Sequence, residues 1–299
     1  MSNLLNKEQF GYYSFGLVIQ FSRFFSILIT GQALFVTPFY TGAVMRVITV
    51  NVNGIRAAQR KGFFEWLSTQ HADVVCIQET KAHESQLDER LFYPDGYYCY
   101  YYDAEKKGYS GTALYCRKKP NKVTRGLGWE PCDSQARYIQ ADFDGISVVS
   151  MYVPSGSSND EALARKLSFH EQIMPHFKSL RRKRREYIIC ADWNTCHKPI
   201  DLKNWKPNQK NSGFLPEERA WLDTLFDEVG YIDGFRLLNQ DADEYTWWSN
   251  RGQAYANNVG WRLDYPVITP GLKSRASAVS VFRDQRFSDH APVIIDFTD

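Results

Sequence analysis

The amino-acid sequence points to an α/β chain in which two mixed β-sheets pack together with helices outside. Strand-like and helical runs are interleaved unevenly, with hairpin-like stretches between them, which favours mixed sheets over a regular βαβ series. In addition, four apolar runs each lead into a cluster of acids and amides, as expected where strands deliver polar side chains to one sheet edge.

The strand-like runs are Val47–Val50, Val74–Gln78, Tyr97–Tyr102, Thr112–Arg117, Ile139–Phe143, Ser147–Tyr152, Tyr187–Ala191, Val293–Phe297 and, less clearly, Val279–Phe282. Helical patterns cover Gly62–Gln70, Asn159–Leu180 and Pro216–Val229. In the last, Pro216 stands near the start and Glu217-Glu218 fall in the first turn. Trp221, Leu222, Leu225 and Phe226 then form an apolar stripe. No Ser/Gly/Pro linker and no solenoid-length repeat divides residues 45–299, which read as one domain.

Composition sets wide bounds. The 299 residues, 43% apolar and 23% charged, suffice for a sizeable core. A net charge of +2, from 36 basic and 34 acidic residues, does not by itself predict a nucleic-acid partner. The six cysteines (Cys76, Cys99, Cys116, Cys132, Cys190 and Cys196) contain no C-x-x-C pair and read as reduced, mostly buried thiols of a cytoplasmic protein.

Residues 1–44 differ from the rest. Their only charges are Lys7, Glu8 and Arg23, and Phe24–Val44 is an uncharged run long enough to suggest a membrane span. Gln32, Gly31, Pro38 and several Thr dilute it, and the strand toward the acid cluster starts at once. The segment is therefore expected to be an apolar N-terminal extension outside the fold, with translation starting at Met45 and no membrane partner.

The chemistry sits after the apolar runs. Glu79 lies just beyond Val74–Ile77, where a carboxylate held by a buried strand suits a hard divalent cation. Asn51 ends Val47–Val50 and can ligate a metal or orient a carboxylate; Asn53-Gly54 also reads as a turn. Asp192 and Asn194 follow Tyr187–Ala191, and an acid beside an amide suits water activation next to a phosphate. Asp289 could bind metal, and His290, with Asp264 as its orienting partner, could transfer protons or stabilise developing charge. Tyr152 ends its strand with a hydroxyl able to bond a phosphate oxygen. Together these residues suggest a metal-dependent hydrolase of phosphodiesters.

The motifs Asn51-Val-Asn-Gly, Gln78-Glu-Thr-Lys81, Gly108-Tyr-Ser-Gly111, Tyr152-Val-Pro154, Asp192-Trp-Asn194, Lys210–Phe214, Trp261–Tyr265 and Ser288-Asp-His290 resemble those of the exonuclease III family, within the endonuclease/exonuclease/phosphatase superfamily. The resemblance runs from Met45 to the C-terminus. It implies a four-layer, DNase I-like α/β sandwich with the site at one edge of the sheets. It implies Mg²⁺ or Mn²⁺ held by Glu79, Asn51 and Asp289, with Asp192, Asn194 and His290 completing the surroundings of the ion. Asp192 would activate water, Asn194 and Asn211 would contact the phosphate, Tyr152 would stabilise it, and Asp264 would orient His290. Arg56, Lys61, Lys81 and Tyr109 match family positions near the DNA backbone. Trp247, Trp261 and Leu263 match the pocket for a sugar lacking its base. The implied activity is a 3′→5′ exodeoxyribonuclease on duplex ends, with abasic-site incision in base excision repair. The implied partner is double-stranded DNA, bound by a monomer. Ser155 departs from the pattern, since many members have Asn there, and this weakens one phosphate contact.

A second resemblance is to the bacterial catabolite repression control protein, carried by Arg181–Tyr187, Glu218–Asp223 and Trp247-Trp248. It implies an alternative role as a post-transcriptional regulator acting on RNA with Hfq. Retention of Glu79, Asp192, Asn194 and Asp289 favours catalysis. The basic run Lys178–Arg185 lies at the far end of the strand that bears Asp192, roughly 17 Å away, and reads as a solvated helix end.

Overall fold

The computed structural model describes residues 18–21, 25–30, 33–37, 44–87 and 89–298. The chain divides into two units, Met1–Ala43 and Val44–Asp299. In the first, Val18–Phe21, Phe25–Thr30 and Ala33–Thr37 form an antiparallel sheet in sequential order. The rest of the expected N-terminal extension lies outside the described residues. Among the described residues, no helix is long and apolar enough to cross a membrane.

The second unit holds two six-stranded mixed sheets. In spatial order the first contains Ala276–Val281, Val293–Thr298, Val44–Asn51, Val74–Gln78, Thr112–Cys116 and Tyr98–Tyr102. The second contains Ile232–Asp233, Asp264–Ile268, Glu186–Asp192, Ile146–Tyr152, Tyr138–Asp142 and Lys122–Arg125. Each has one parallel pair at its centre. Val44–Asn51 runs beside Val74–Gln78, and Ile146–Tyr152 beside Glu186–Asp192. These four strands are apolar nearly throughout, because residues on both of their faces are covered.

Between the sheets lies a core of Val47, Cys76, Leu114, Ile139, Val148, Ile188, Cys190 and Ile295. Outside the first sheet, the helices Ile55–Gln59 and Phe63–Thr69 bury Ile55, Phe63, Trp66 and Leu67. Outside the second, Asp160–Leu180 and Pro216–Asp223 bury Phe169, Ile173, Phe177 and Leu222. These are the four layers the resemblance implies.

The strands and helices expected from the sequence agree with the structure to within a few residues, and three of the differences have a plain physical cause. The helical pattern Pro216–Val229 is α-helical only to Asp223 and continues as a wider π turn, Thr224–Glu228. The helix Ile55–Gln59 begins directly after Gly54, so the Asn53-Gly54 turn also serves as a helix entry. Lys122–Arg125 was not legible as a strand, since it is an edge strand with exposed ends and only partly buried middle residues. All six cysteines are free. In the basic run, Arg181 packs over the Tyr231 ring and Arg185 bonds the Phe143 carbonyl, while Lys178, Arg182, Lys183 and Arg184 are exposed.

Candidate active site

Strand register assembles the site. In the second sheet, Tyr152 is paired with Asp192, and Asp192 with Asp264, so three strands end in functional groups at one level. In the first sheet Asn51 is paired with Gln78, which delivers Glu79 next to it. Polar contacts tie the two sheets together just beneath: the Ser150 hydroxyl donates to the Ile77 carbonyl at 2.9 Å, and Gln78 Nε2 donates to Ser150 Oγ at 3.0 Å.

Asn51, fully buried, joins the sheets at the site itself. Its Nδ2 donates to Glu79 Oε1 at 2.9 Å and to Asp192 Oδ2 at 2.8 Å, while its Oδ1 accepts from the Asn53 amide. It therefore holds two carboxylates together, the orienting role allowed for it in the sequence. Asn194 folds back on Asp192: its backbone N–H donates to Oδ1 at 2.9 Å, and its Nδ2 reaches Oδ2 at 3.2 Å. The backbone is left-handed at Asn53, Glu79, Lys81 and Asn194, with φ of 44°, 53°, 48° and 49°. That conformation is uncommon for residues with a Cβ, and its concentration here is backbone strain held by the surrounding fold.

The opposite wall carries His290. Its Nδ1 lies 2.8 Å from Asp264 Oδ2, and its Nε2 lies 4.0 Å from Asp192 Oδ2. Asp264 is fully buried, accepts also from Thr246 Oγ1 at 2.7 Å, and so fixes the imidazole from behind. Asp289 accepts from Asn53 Nδ2 at 2.8 Å and from the Trp247 indole at 3.1 Å. Glu79 is paired with Lys81 at 2.6 Å, and Lys81 also bonds Asn53.

These contacts separate the ionisations. Burial raises the Asp192 carboxyl to about 7, with the Asp264 charge adding to the rise and His290 opposing it. Burial alone would lower His290, but the Asp264 and Asp192 carboxylates raise it to about 10, so it is cationic at neutral pH. Glu79 is pushed up by burial and, more strongly, down by Lys81 and by bonds from Tyr152 and Asn51, ending below its ordinary value. In Asp289, burial is likewise outweighed, by His290, Asn53 and Trp247. Burial and the Glu79 charge raise the Tyr152 phenol far up, so it remains a donor.

Glu79, Lys81, Tyr152, Asp192, Asn194, Asn211, Trp247, Trp261, Leu263, Asp289 and His290 line one cavity of about 760 Å³. The carboxylates expected to meet thus share a single rim. Asp264 stands behind this surface. Lys61 lines a smaller adjoining cavity of about 260 Å³ with Asn53, Arg286 and Asp289. Arg56 is exposed on its helix and lines neither cavity, and Tyr109 is engaged with Arg137, which donates to its hydroxyl at 2.9 Å. The sequence reading missed Asn53 and the loop at 156–159, which follows Ser155, as parts of the wall. The motif Asn51–Gly54 contained Asn53, but its turn propensity masked a side-chain role.

The donors suit a hard cation. Glu79, Asp192 and Asp289 offer carboxylate oxygens, and no thiol among the described residues lines the cavity; the Lys81 ammonium, 2.6 Å from Glu79 Oε2, is the charge a cation would compete with there. Asp192, Asp264 and His290 also place one ligand atom each within 4.8 Å of one another. In that trio Asp264 is already engaged, by His290 Nδ1 at 2.8 Å and by the Thr246 hydroxyl at 2.7 Å, and it does not line the cavity.

Known proteins are similar to this chain in sequence and in fold. Residues 48–290 match the model of the Endonuclease/Exonuclease/phosphatase family. An exodeoxyribonuclease of Bacillus subtilis is 38% identical over 251 residues, covering 83% of this chain and 98% of the relative. The DNA repair nuclease APEX1 of Danio rerio is 36% identical over 258 residues, covering 85% and 82%. The solved AP endonuclease of Archaeoglobus fulgidus superposes with a TM-score of 0.77 at 28% identity, covering 85% of this chain and 99% of that one. With the family's residues matched over most of its length and its fold reproduced, this chain belongs to the endonuclease/exonuclease/phosphatase family.

Proposed function

We propose that the chain is a Mg²⁺- or Mn²⁺-dependent nuclease that hydrolyses DNA phosphodiesters, shortening duplex 3′ ends and incising abasic sites. The observation that carries this reading is Asp192: a buried carboxyl raised to about 7, clamped by Asn51 and Asn194, opposite a cationic histidine. A carboxylate with that ionisation is a competent general base near neutral pH.

In this reading Asp192 accepts a proton from the attacking water, and Asn194 keeps the accepting oxygen turned toward the cavity. His290, held cationic by Asp264, stabilises negative charge developing on the phosphate. Tyr152 and Asn211 donate to non-bridging oxygens. Trp247, Trp261 and Leu263 form an apolar wall for an extruded sugar. Glu79 and Asp289, oriented by Asn51 and Asn53, would hold the metal, which would supply charge neutralisation and polarisation of the phosphate. The names of the Bacillus and Danio relatives support DNA as the substrate. The alternative of a regulator acting on RNA with Hfq has no support from these relatives.

The test is a labelled duplex with one abasic analogue, incubated with Mg²⁺. Internal nicking and end-shortening appear on one gel, and Asp192→Asn should lose both while still retaining the duplex in a mobility shift. Cleavage by the variant at the wild-type rate would refute the assignment of Asp192.

A further inference from the structure

Behind the cavity, two helices meet in an ion pair sealed from solvent. Lys166 on Asp160–Leu180 and Glu218 on Pro216–Asp223 are both 0% exposed, with Nζ 2.5 Å from Oε1. Neither touches the cavity, yet each reaches a segment that does. Lys166 Nζ donates to the Asn194 backbone carbonyl at 2.7 Å. Glu218 Oε2 accepts the backbone N–H of Gly213 at 2.6 Å and of Leu215 at 2.9 Å, while Oε1 accepts the Ser212 hydroxyl at 3.1 Å.

The two segments are themselves interlocked. Cys196 N–H donates to the Gly213 carbonyl at 2.8 Å, and a Cβ on Gly213 would meet the Asn194 carbonyl at 3.2 Å. Gly213 has φ +98°, so only glycine fits this approach without strain. The ion pair therefore bridges the backs of the two segments that carry Asn194 and Asn211.

Helix capping explains only part of this. Glu218 is the third residue of its helix, and its bond to the Leu215 N–H is the carboxylate half of a capping box. A cap needs no buried lysine. Stability does not require one either, since replacing a buried ion pair by apolar groups is often neutral or stabilising. What the pair adds is a fixed distance between Asn194, left-handed at φ 49°, and the turn bearing Asn211.

We propose that Lys166 and Glu218 are positioning residues: their buried pair fixes Asn194 and the 211–215 turn in the geometry needed for phosphodiester cleavage. This rests on the nuclease reading above. It sets turnover and leaves DNA affinity largely unchanged, because neither residue touches the cavity.

The experiment compares wild type, Asp192→Asn, Lys166→Arg and the double variant Lys166→Met/Glu218→Gln on the abasic duplex with Mg²⁺. The Glu218→Gln change retains an oxygen for the Gly213 and Leu215 amides, while the Lys166→Met change removes the buried charge and the bond to Asn194. The expected result for the double variant is a kcat lower by about 100-fold, the scale of a small misplacement of reacting groups, with DNA affinity within about threefold of wild type. Lys166→Arg should recover much of the loss, because its guanidinium can donate to both acceptors. Thermal unfolding by circular dichroism confirms that each variant is folded at the assay temperature; if the double variant is not, Lys166→Gln/Glu218→Gln, which leaves no unpaired buried charge, replaces it. A fall in kcat below about tenfold, or one matched by an equal loss of DNA affinity, overturns the proposal. Full activity of Asp192→Asn would instead overturn the nuclease assignment, so the two failures are distinguishable.

Discussion

Replacing Asp264 by Asn tests the electrostatics of the site most directly. Asp264 is fully buried, 2.8 Å from His290 Nδ1, and is the largest influence raising that imidazole from 6.5 to about 10. With charge centres roughly 4 Å apart and an effective dielectric of about 20, the pair is worth about 4 kcal/mol, or roughly three pKa units. That accounts for most of the rise. In Asp264→Asn the opposing effect of burial dominates, and His290 should titrate about three units lower. The sign for stability follows. A histidine whose folded pKa is raised stabilises the fold fully below its unfolded pKa of about 6.5 and loses that contribution as pH rises through about 10. The variant should therefore be less stable than wild type by about 3–5 kcal/mol near pH 6, with the gap narrowing as pH rises from about 6.5 and nearly closed by about 10. Urea unfolding across that range measures the gap, and NMR of the imidazole nitrogens in metal-free protein measures the titration. A gap that does not change with pH, together with an unmoved His290 titration, would refute the reasoning.

Three further outcomes follow from the same geometry. The acid limb of the pH–rate profile should fall near pH 7, because Asp192 must be ionised to accept a proton and burial raises it to about 7; a limb near pH 4 would show that another group is the base. Glu79→Gln should weaken Mg²⁺ binding by about 10-fold or more, with cleavage partly restored at high Mg²⁺, as read from metal titrations of rate; an unchanged metal requirement would remove Glu79 from the ion. Arg262→Ala should destabilise the fold by about 3–5 kcal/mol in urea unfolding, because it takes the buried guanidinium away from both Asp201 and the largely buried Asp233 and leaves Asp201 with Arg236 as its remaining cation. A loss under ~1 kcal/mol would mean that Arg236 alone can neutralise Asp201.

The site was partly legible in the chain itself. Glu79, Asp192 and Asp289 each follow or precede a readable strand, so their convergence at one edge could be anticipated from period-two patterning and the way strands end. Asp264 was legible as a partner for His290, although its strand was not, because Asp264–Ile268 carries a proline and follows a run of mixed polarity. Lys166 and Glu218 gave no signal. One lies within an amphipathic helix and the other in a helix first turn, where charged residues are ordinarily solvated. Arg56 and Tyr109, expected near a DNA backbone, lie outside the cavity, Arg56 exposed on its helix and Tyr109 bonded by Arg137.

By itself the sequence determined most of the strands and helices, the acids at their ends and the family to which the chain belongs, since these depend on local periodicity and short motifs. The tertiary structure decided which carboxylates share a donor and which charges are sealed from water. Those depend on register between strands far apart in the chain: Asn51 meets Asp192 across 141 residues, and only packing two sheets together brings their ends within a hydrogen bond. Burial then follows from the packing, and burial is what lifts Asp192 to about 7 and makes its neighbours matter.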